Sequence, residues 1–117
     1  MPAFEVWDTV KVPFPYTNRP VLQKRPALVV ARPDSGNGPQ LLWVLMLTSA
    51  AHRRWQGDVE VVDLGLAGLP VATLVRTAKA ATIEADVAEP LGVLGVQERA
   101  VVRSQLTAHL ATALAQP

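Results

Sequence analysis

Thr9-Val10-Lys11-Val12-Pro13-Phe14-Pro15-Tyr16-Thr17-Asn18-Arg19-Pro20-Val21-Leu22-Gln23-Lys24-Arg25-Pro26-Ala27-Leu28-Val29-Val30 is the stretch around which the rest of the chain is read. Val10 and Val12 alternate with Thr9 and Lys11, the period-2 pattern of a half-buried strand, whereas Ala27 to Ala31 is a continuous apolar run that asks for burial on both faces. Between them lies a loop stiffened by Pro13, Pro15 and Pro20 and carrying Arg19 and Lys24. Pro26 lacks a backbone donor and belongs at a strand start or edge. It also biases Arg25 toward extended backbone, which stands the guanidinium at the rim where the loop enters the sheet. Rims of this kind are where functional side chains tend to sit.

Working outward, Phe4 to Phe14 reads as the first strand, with Phe4, Val6, Val10 and Val12 at even spacing and Trp7 on the opposite face. Arg25 to Arg32 is the second strand. The cluster Pro33-Asp34-Ser35-Gly36-Asn37-Gly38-Pro39 turns it into a hairpin with Gln40 to Thr48. That third strand sets Leu42, Val44, Met46 and Thr48 on one face and Leu41, Trp43, Leu45 and Leu47 on the other, so something must cover each face. Ser49 to Gly57 is a cationic polar loop, and Asp58-Val59-Glu60-Val61 opens a fourth strand that Gly65 to Pro70 interrupts. Val71 to Thr77 and Lys79 to Glu84 read as two further short strands, and Asp86 to Pro90 as a turn.

From Val96 the period changes to 3.6, which predicts a carboxy-terminal helix over about residues 96–114 with Val102, Leu106, Leu110 and Leu114 on one stripe. Arg99 and Arg103 fall on the stripe side and must snorkel or find an acid; His109 lies beside the stripe as a packing or surface residue. Short strands with Gly/Pro-rich turns and one closing helix specify a mainly β domain, a small curled or barrel-like sheet with a packing helix. With 117 residues and no linker, the chain is read as a single domain, residues 1–117.

Composition narrows the functional classes. Half the residues are hydrophobic and 18% are charged, which excludes a disordered chain and leaves apolar surface for a partner, most simply a second copy in a homodimer. The interface is expected to draw on the third strand or the helix. The chain has no cysteine, so it has no disulfide framework and no thiolate metal site, which fits a reducing cytoplasm. No signal peptide is read at Met1-Pro2-Ala3-Phe4-Glu5, and no run approaches a membrane span. A net charge of +1 gives no global pull toward nucleic acid. The cations cluster instead, as Lys24 with Arg25, Arg53 with Arg54, and Arg76 with Lys79. His52-Arg53-Arg54-Trp55-Gln56-Gly57 interleaves cations with an aromatic, the chemistry that holds phosphates and stacks a splayed base. A charge run is also the ordinary composition of a solvated loop. His52 is of the type that serves as acid or base near neutrality, although a lone loop histidine usually has no such role. No glycine-rich phosphate loop, zinc-binding His-Glu-x-x-His or Gly-x-Ser-x-Gly elbow is present, which argues against nucleotide-dependent, zinc-dependent and esterase chemistry.

Val12-Pro13-Phe14-Pro15, Thr17 and Arg25-Pro26-Ala27-Leu28-Val29-Val30, followed by Met46-Leu47-Thr48-Ser49, Ala67-Gly68-Leu69-Pro70, Val75-Arg76, Thr82-Ile83-Glu84 and Leu91-Gly92-Val93-Leu94 before a helix, resemble the MazF/PemK family of toxin-antitoxin ribonucleases over nearly the whole chain. The resemblance implies an SH3-like barrel of the MazF/CcdB/Kid type, a two-fold homodimer, and an antitoxin whose disordered segment folds across it. It also implies metal-independent cleavage of single-stranded RNA, leaving a 2′,3′-cyclic phosphate and a 5′-hydroxyl, with no cofactor. By this resemblance Arg25 is the catalytic arginine and Thr48 its hydroxyl partner, with Ser49 as understudy. Lys24, Ser49, His52, Arg53, Arg54, Trp55, Arg76 and Lys79 then serve as RNA contacts.

Arg25 suits the clamp role because a guanidinium offers five donors in a planar fork and stays charged. Taken alone, Arg25 also reads as a solvated residue before a strand, and Thr48 as an ordinary strand former. The sequence departs from the family at Ala78, where many PemK-like members have an aspartate, and at Ala81, where a basic residue is common. The first departure leaves Arg76 as a phosphate ligand without a nearby acid. A non-catalytic toxin of the same fold, such as one that binds DNA gyrase, and an inactive dimeric relic are the competing readings.

Overall fold

The computed structural model describes residues 3–13 and 23–117. The loop positions from Phe14 to Leu22, among them Pro15, Thr17, Arg19 and Pro20, lie outside the described residues. The elements run β1 (Asp8–Pro13), β2 (Lys24–Ala31), β3 (Leu41–Ser49), β4 (Asp58–Glu60), α1 (Leu64–Ala67), β5 (Thr73–Glu84), β6 (Glu89–Val93) and α2 (Val96–Ala115), with a 3-10 turn at Ala85–Val87. The strands form a six-stranded sheet in the order β4-β5-β3-β2-β1-β6 with every neighbouring pair antiparallel. β4 and β6 are edges, so the sheet is mainly β with a packing helix as expected but is not closed into a barrel by backbone pairing.

Both faces of the sheet are buried, as the two apolar sides of β3 require. One face gathers Val10, Val12, Ala27, Val29, Leu42, Val44, Met46 and Ile83 under Phe4, Ala85 and Ala88. The other gathers Leu28, Leu45, Leu47, Val59 and Val75 beneath Ala67, Leu69, Leu94 and Val102. The helix α2 thus covers a sheet face with its first half. Its stripe leaves the core toward the carboxy terminus, where Leu110 and Leu114 are exposed. Arg99 finds a carbonyl rather than an acid, its Nε donating to Leu94 O at 2.8 Å, and Arg103 reaches over the Trp7 ring at 5.9 Å.

Several boundaries differ from the pattern-based expectation. β1 begins at Asp8 rather than Phe4, because Glu5–Asp8 is a turn and Trp7 takes a positive φ of 81°. Phe4 is still core, but it enters from outside the strand. Thr9, read as the solvent side of β1, is fully buried and its Oγ1 donates to Ala67 O at 2.7 Å, tying α1 to the sheet. The two short strands of residues 71–84 are one strand, β5, with a register shift opposite Leu45/Met46 that leaves Thr77, Ala78 and Lys79 between the two registers. The segment read as a turn at 86–90 contributes an edge strand, β6, in which Pro90 is tolerated because an edge need not donate on both sides.

The four-residue α1 stands where a break was expected. Asp63 caps it, accepting from Leu66 N at 3.0 Å, and Gly68 ends it in the left-handed region at φ 68°. α1 lies so close to β6 that a Cβ on Gly92 would fall 2.3 Å from Leu66 O, and one on Gly68 2.2 Å from Leu91 O. This glycine-to-backbone seam fixes one wall of a cleft at the strand ends. Glu98, buried near the start of α2, joins the same region by accepting from Val62 N at 2.9 Å and Asp63 N at 3.3 Å.

Candidate active-site cleft

β2 and β3 pair with Ala27 opposite Met46 and Leu28 opposite Leu45, and continuing that antiparallel register outward sets Arg25 across from Thr48. On the far side of β2, Lys11 of β1 is opposite Pro26 and Val12 opposite Arg25. The α1–β5 connection then runs past these strand ends, and Gly68, Leu69, Pro70 and Val71 close one side. The result is a cleft of about 290 Å³ lined by Arg25, Thr48, Ser49, His52 and Lys11 on its polar side. Sequence positions far apart are therefore brought to one place by sheet register. Arg25 is half-buried, with its Nη2 donating to Gln23 Oε1 at 2.8 Å.

Thr48 is only 7% exposed, and its Oγ1 lies 2.8 Å from His52 Nδ1. A tight turn at the end of β3 produces this contact. Ser49 Oγ accepts from Ala51 N at 3.2 Å and Ser49 O from His52 N at 3.0 Å, which folds the chain back so that the imidazole returns to the threonine. Ser49 is accordingly a turn former as well as a cleft residue. Among the described residues that line it the ionisable groups are Lys11, Arg25 and His52, and no carboxylate is among them. Two cations in a partly enclosed cleft focus a positive potential suited to a phosphodiester.

Arg76 differs from its expected role. It has an acid beside it after all: Nε donates to Asp58 Oδ1 at 3.3 Å and Nη2 to Asp58 Oδ2 at 3.1 Å, with side chains 9% and 1% exposed. Nη2 also donates to Arg53 O at 2.6 Å, and the guanidinium lies 4.1 Å from the centroid of the Trp55 ring. Asp58 in turn accepts from Trp55 N at 2.8 Å. Arg76 is thus the post on which the 53–58 loop is built, a planar fork spent on a carboxylate, a carbonyl and an aromatic face. The loop it holds presents Arg53, Arg54 and Trp55 as exposed side chains beyond His52.

The remaining expected contacts are spread out. Lys24 pairs with Glu89 of β6 at 3.1 Å, both half-exposed, at the entrance of β2. Lys79 sits in the irregular stretch of β5 and does not line the cleft. Ala78 and Ala81 do not line it either. They line a separate apolar groove of about 620 Å³ between the sheet and α2, with Trp43, Leu106 and Leu110. At its margin Thr77 donates its hydroxyl proton to Gly57 O at 2.8 Å, so His109 Nε2, 3.0 Å away, donates to the hydroxyl. That network packs α2 against the sheet, the structural role read for His109. Among the described residues no group of His, Cys, Asp and Glu is arranged to hold a metal ion, and no helix is long and apolar enough to cross a membrane.

The architecture that carries this cleft is that of the MazF toxins. The MazF structure from Deinococcus radiodurans matches at 20% identity over 92% of this chain and 96% of its own, with a TM-score of 0.67. MazE-MazF from the same organism matches at 22% identity over 91% and 93%, with a TM-score of 0.64. An endoribonuclease in complex with its cognate antitoxin from mycobacterial species matches at 16% identity over 98% and 100%, with a TM-score of 0.68. No protein-family model and no curated protein sequence matches the chain. At these identities the shared property is the fold.

Proposed function

We propose that this protein is the toxin of a toxin-antitoxin pair, a cytoplasmic, metal-independent endoribonuclease that cleaves single-stranded RNA by transesterification. The observation that carries the proposal is the convergence of Arg25, Thr48, Ser49 and His52 on one cationic cleft, on a fold similar to that of an endoribonuclease solved with its antitoxin. The reaction needs a 2′-hydroxyl held in line with the adjacent phosphorus and a clamp for the charge that builds on the five-coordinate phosphorane. Arg25 supplies the clamp, and Thr48 donates to a non-bridging oxygen. Arg53, Arg54 and Trp55 hold flanking nucleotides by charge and stacking, Lys24 and Lys79 add outer phosphate contacts, and Arg76 acts through the loop it anchors. The products are a 2′,3′-cyclic phosphate and a 5′-hydroxyl.

Incubation with a long mixed-sequence RNA followed by mapping of both new ends tests this. Cuts at a short recurrent sequence with 5′-hydroxyl ends are expected, and 5′-phosphate ends or no cuts overturn it.

Two partners complete the proposal. One is a second copy of the chain, docked through the surface where Trp43, Leu110 and Leu114 are 51%, 50% and 78% exposed beside the apolar groove. A two-fold isologous contact is the commonest way to cover such a face. Light scattering at micromolar concentration is expected to give a dimer that Leu110→Glu converts to monomer; a monomeric parent protein contradicts it. The other is an antitoxin, as in the MazE-MazF complexes of the similar structures, with an acidic segment laid across the cationic cleft.

A further inference from the structure

The proposed reaction needs a group to take the proton of the attacking 2′-hydroxyl, and the cleft limits the choice. Among the described residues its ionisable lining groups are Lys11 from β1, Arg25 from β2 and His52 from the turn after β3, while the α1–β5 side contributes Gly68, Leu69, Pro70 and Val71. Arginine does not give up its proton in proteins, and lysine in its ordinary form is an ammonium with three donors and no acceptor. Imidazole is the side chain suited to accept a proton near neutrality. It is held in place, since His52 Nδ1 lies 2.8 Å from Thr48 Oγ1 and the backbone of His52 is fixed to Ser49 O.

That contact is compatible with two tautomers. If Thr48 donated its proton to Nδ1, the hydroxyl would have none left for the phosphate. If Nδ1–H donates to Oγ1, Thr48 keeps its proton for a non-bridging phosphate oxygen and Nε2 carries a lone pair. The second arrangement gives each group one task, with a neighbouring hydroxyl orienting the imidazole as second partners do in other histidine sites.

Resting on the ribonuclease reading, we infer that His52 Nε2 is the general base of the cleavage. The 2′-O–H bond breaks, its proton passes to Nε2 and the 2′-oxygen forms a bond to phosphorus. The P–O5′ bond then breaks, and the leaving 5′-oxygen takes a proton from water at the mouth of the cleft. The imidazolium returns its proton to solvent, so the histidine is restored.

The test uses a short RNA built around a mapped cut site, in single turnover across pH, with wild type, His52→Asn and His52→Ala. Asparagine keeps a donor for Thr48 without a base. A bound RNA carrying a single 2′-deoxy nucleotide at the cut site reports affinity without cleavage. His52→Asn is expected to lose about 100- to 10,000-fold in rate at unchanged affinity. It should also lose the rise in rate that wild type shows as pH increases through the histidine ionisation, and added imidazole should partly restore His52→Ala. A His52→Asn enzyme as fast as wild type overturns the base assignment and leaves the ribonuclease reading standing. A slower one that keeps the wild-type pH limb also overturns it, because His52 would then only position Thr48. No cleavage by wild type overturns both.

Discussion

Two arginines, Arg25 and Arg76, stand on adjacent parts of one sheet and have opposite fates. Arg76 is buried, grips Asp58 with two nitrogens, donates to a carbonyl and covers an indole. Arg25 is half-buried at a cleft lined also by Lys11 and across the register from Thr48, with a glutamine amide oxygen among its partners. The difference shows how one residue type can be spent on building a loop or set at the rim of a cleft. A guanidinium whose donors are spent on a carboxylate and a carbonyl can build a loop but has little left for a phosphate, whereas one that lines a cleft stands where an incoming anion can reach it. The family resemblance assigns both arginines to RNA. Burial against Asp58 for one and an opening onto the cleft for the other separate them.

Replacing Asp58 should have the largest effect on the structural side of this comparison. Asp58→Ala leaves Arg76 as a buried charge without its carboxylate, and removing one member of a buried pair costs about 3–5 kcal/mol. Thermal or urea unfolding measures it, and a destabilisation under about 1 kcal/mol would show that the pair contributes no more than a surface bridge. On the chemical side, Arg25→Lys should leave the melting temperature almost unchanged while lowering the cleavage rate about 100- to 1000-fold, because the developing oxyanion is deprived of one preorganised donor. Thr48→Val, which keeps shape and strand propensity, should act in the same direction on rate rather than on RNA affinity. The smallest effect is expected for the loop that Arg76 builds. Arg53→Ala with Arg54→Ala should weaken binding and reduce the salt slope by about 0.7 for each phosphate no longer neutralised, while bound RNA is still cut. An unchanged slope identifies those two side chains as solvated surface.

The elements that follow a periodic pattern are legible from the residues. β2, β3 and their hairpin carry uninterrupted apolar or alternating runs, and α2 begins at Val96 where the period changes from 2 to 3.6. α1 is too short to display a period, and only Asp63 and Gly68 at its ends signal it. β6 is hidden because Pro90 and Gly92 are poor strand formers in isolation and are placed by an edge position and by the close approach of α1. The irregularity at Thr77–Lys79 depends on which residues face β3, which a single strand's sequence does not encode.

At the site, family-like motifs point to Arg25 and Thr48, and sheet register brings those positions to one cleft. The Arg76–Asp58 pair crosses 18 positions of sequence and has no local signature. The Thr48–His52 contact has i,i+4 spacing but lies on a strand end and turn rather than a helix, so spacing alone does not reveal it.

The central claim is that the Arg25–Thr48 cleft cuts RNA without a metal. Single-turnover cleavage of a labelled single-stranded RNA in excess EDTA, by wild type, Arg25→Lys and Thr48→Val side by side and each shown to be folded, tests it most directly. Undiminished wild-type cleavage in the chelator and a large drop in rate in both variants are expected. Wild-type cleavage that stops in EDTA and returns with a divalent cation, or full-rate cleavage by the two folded variants, would contradict it.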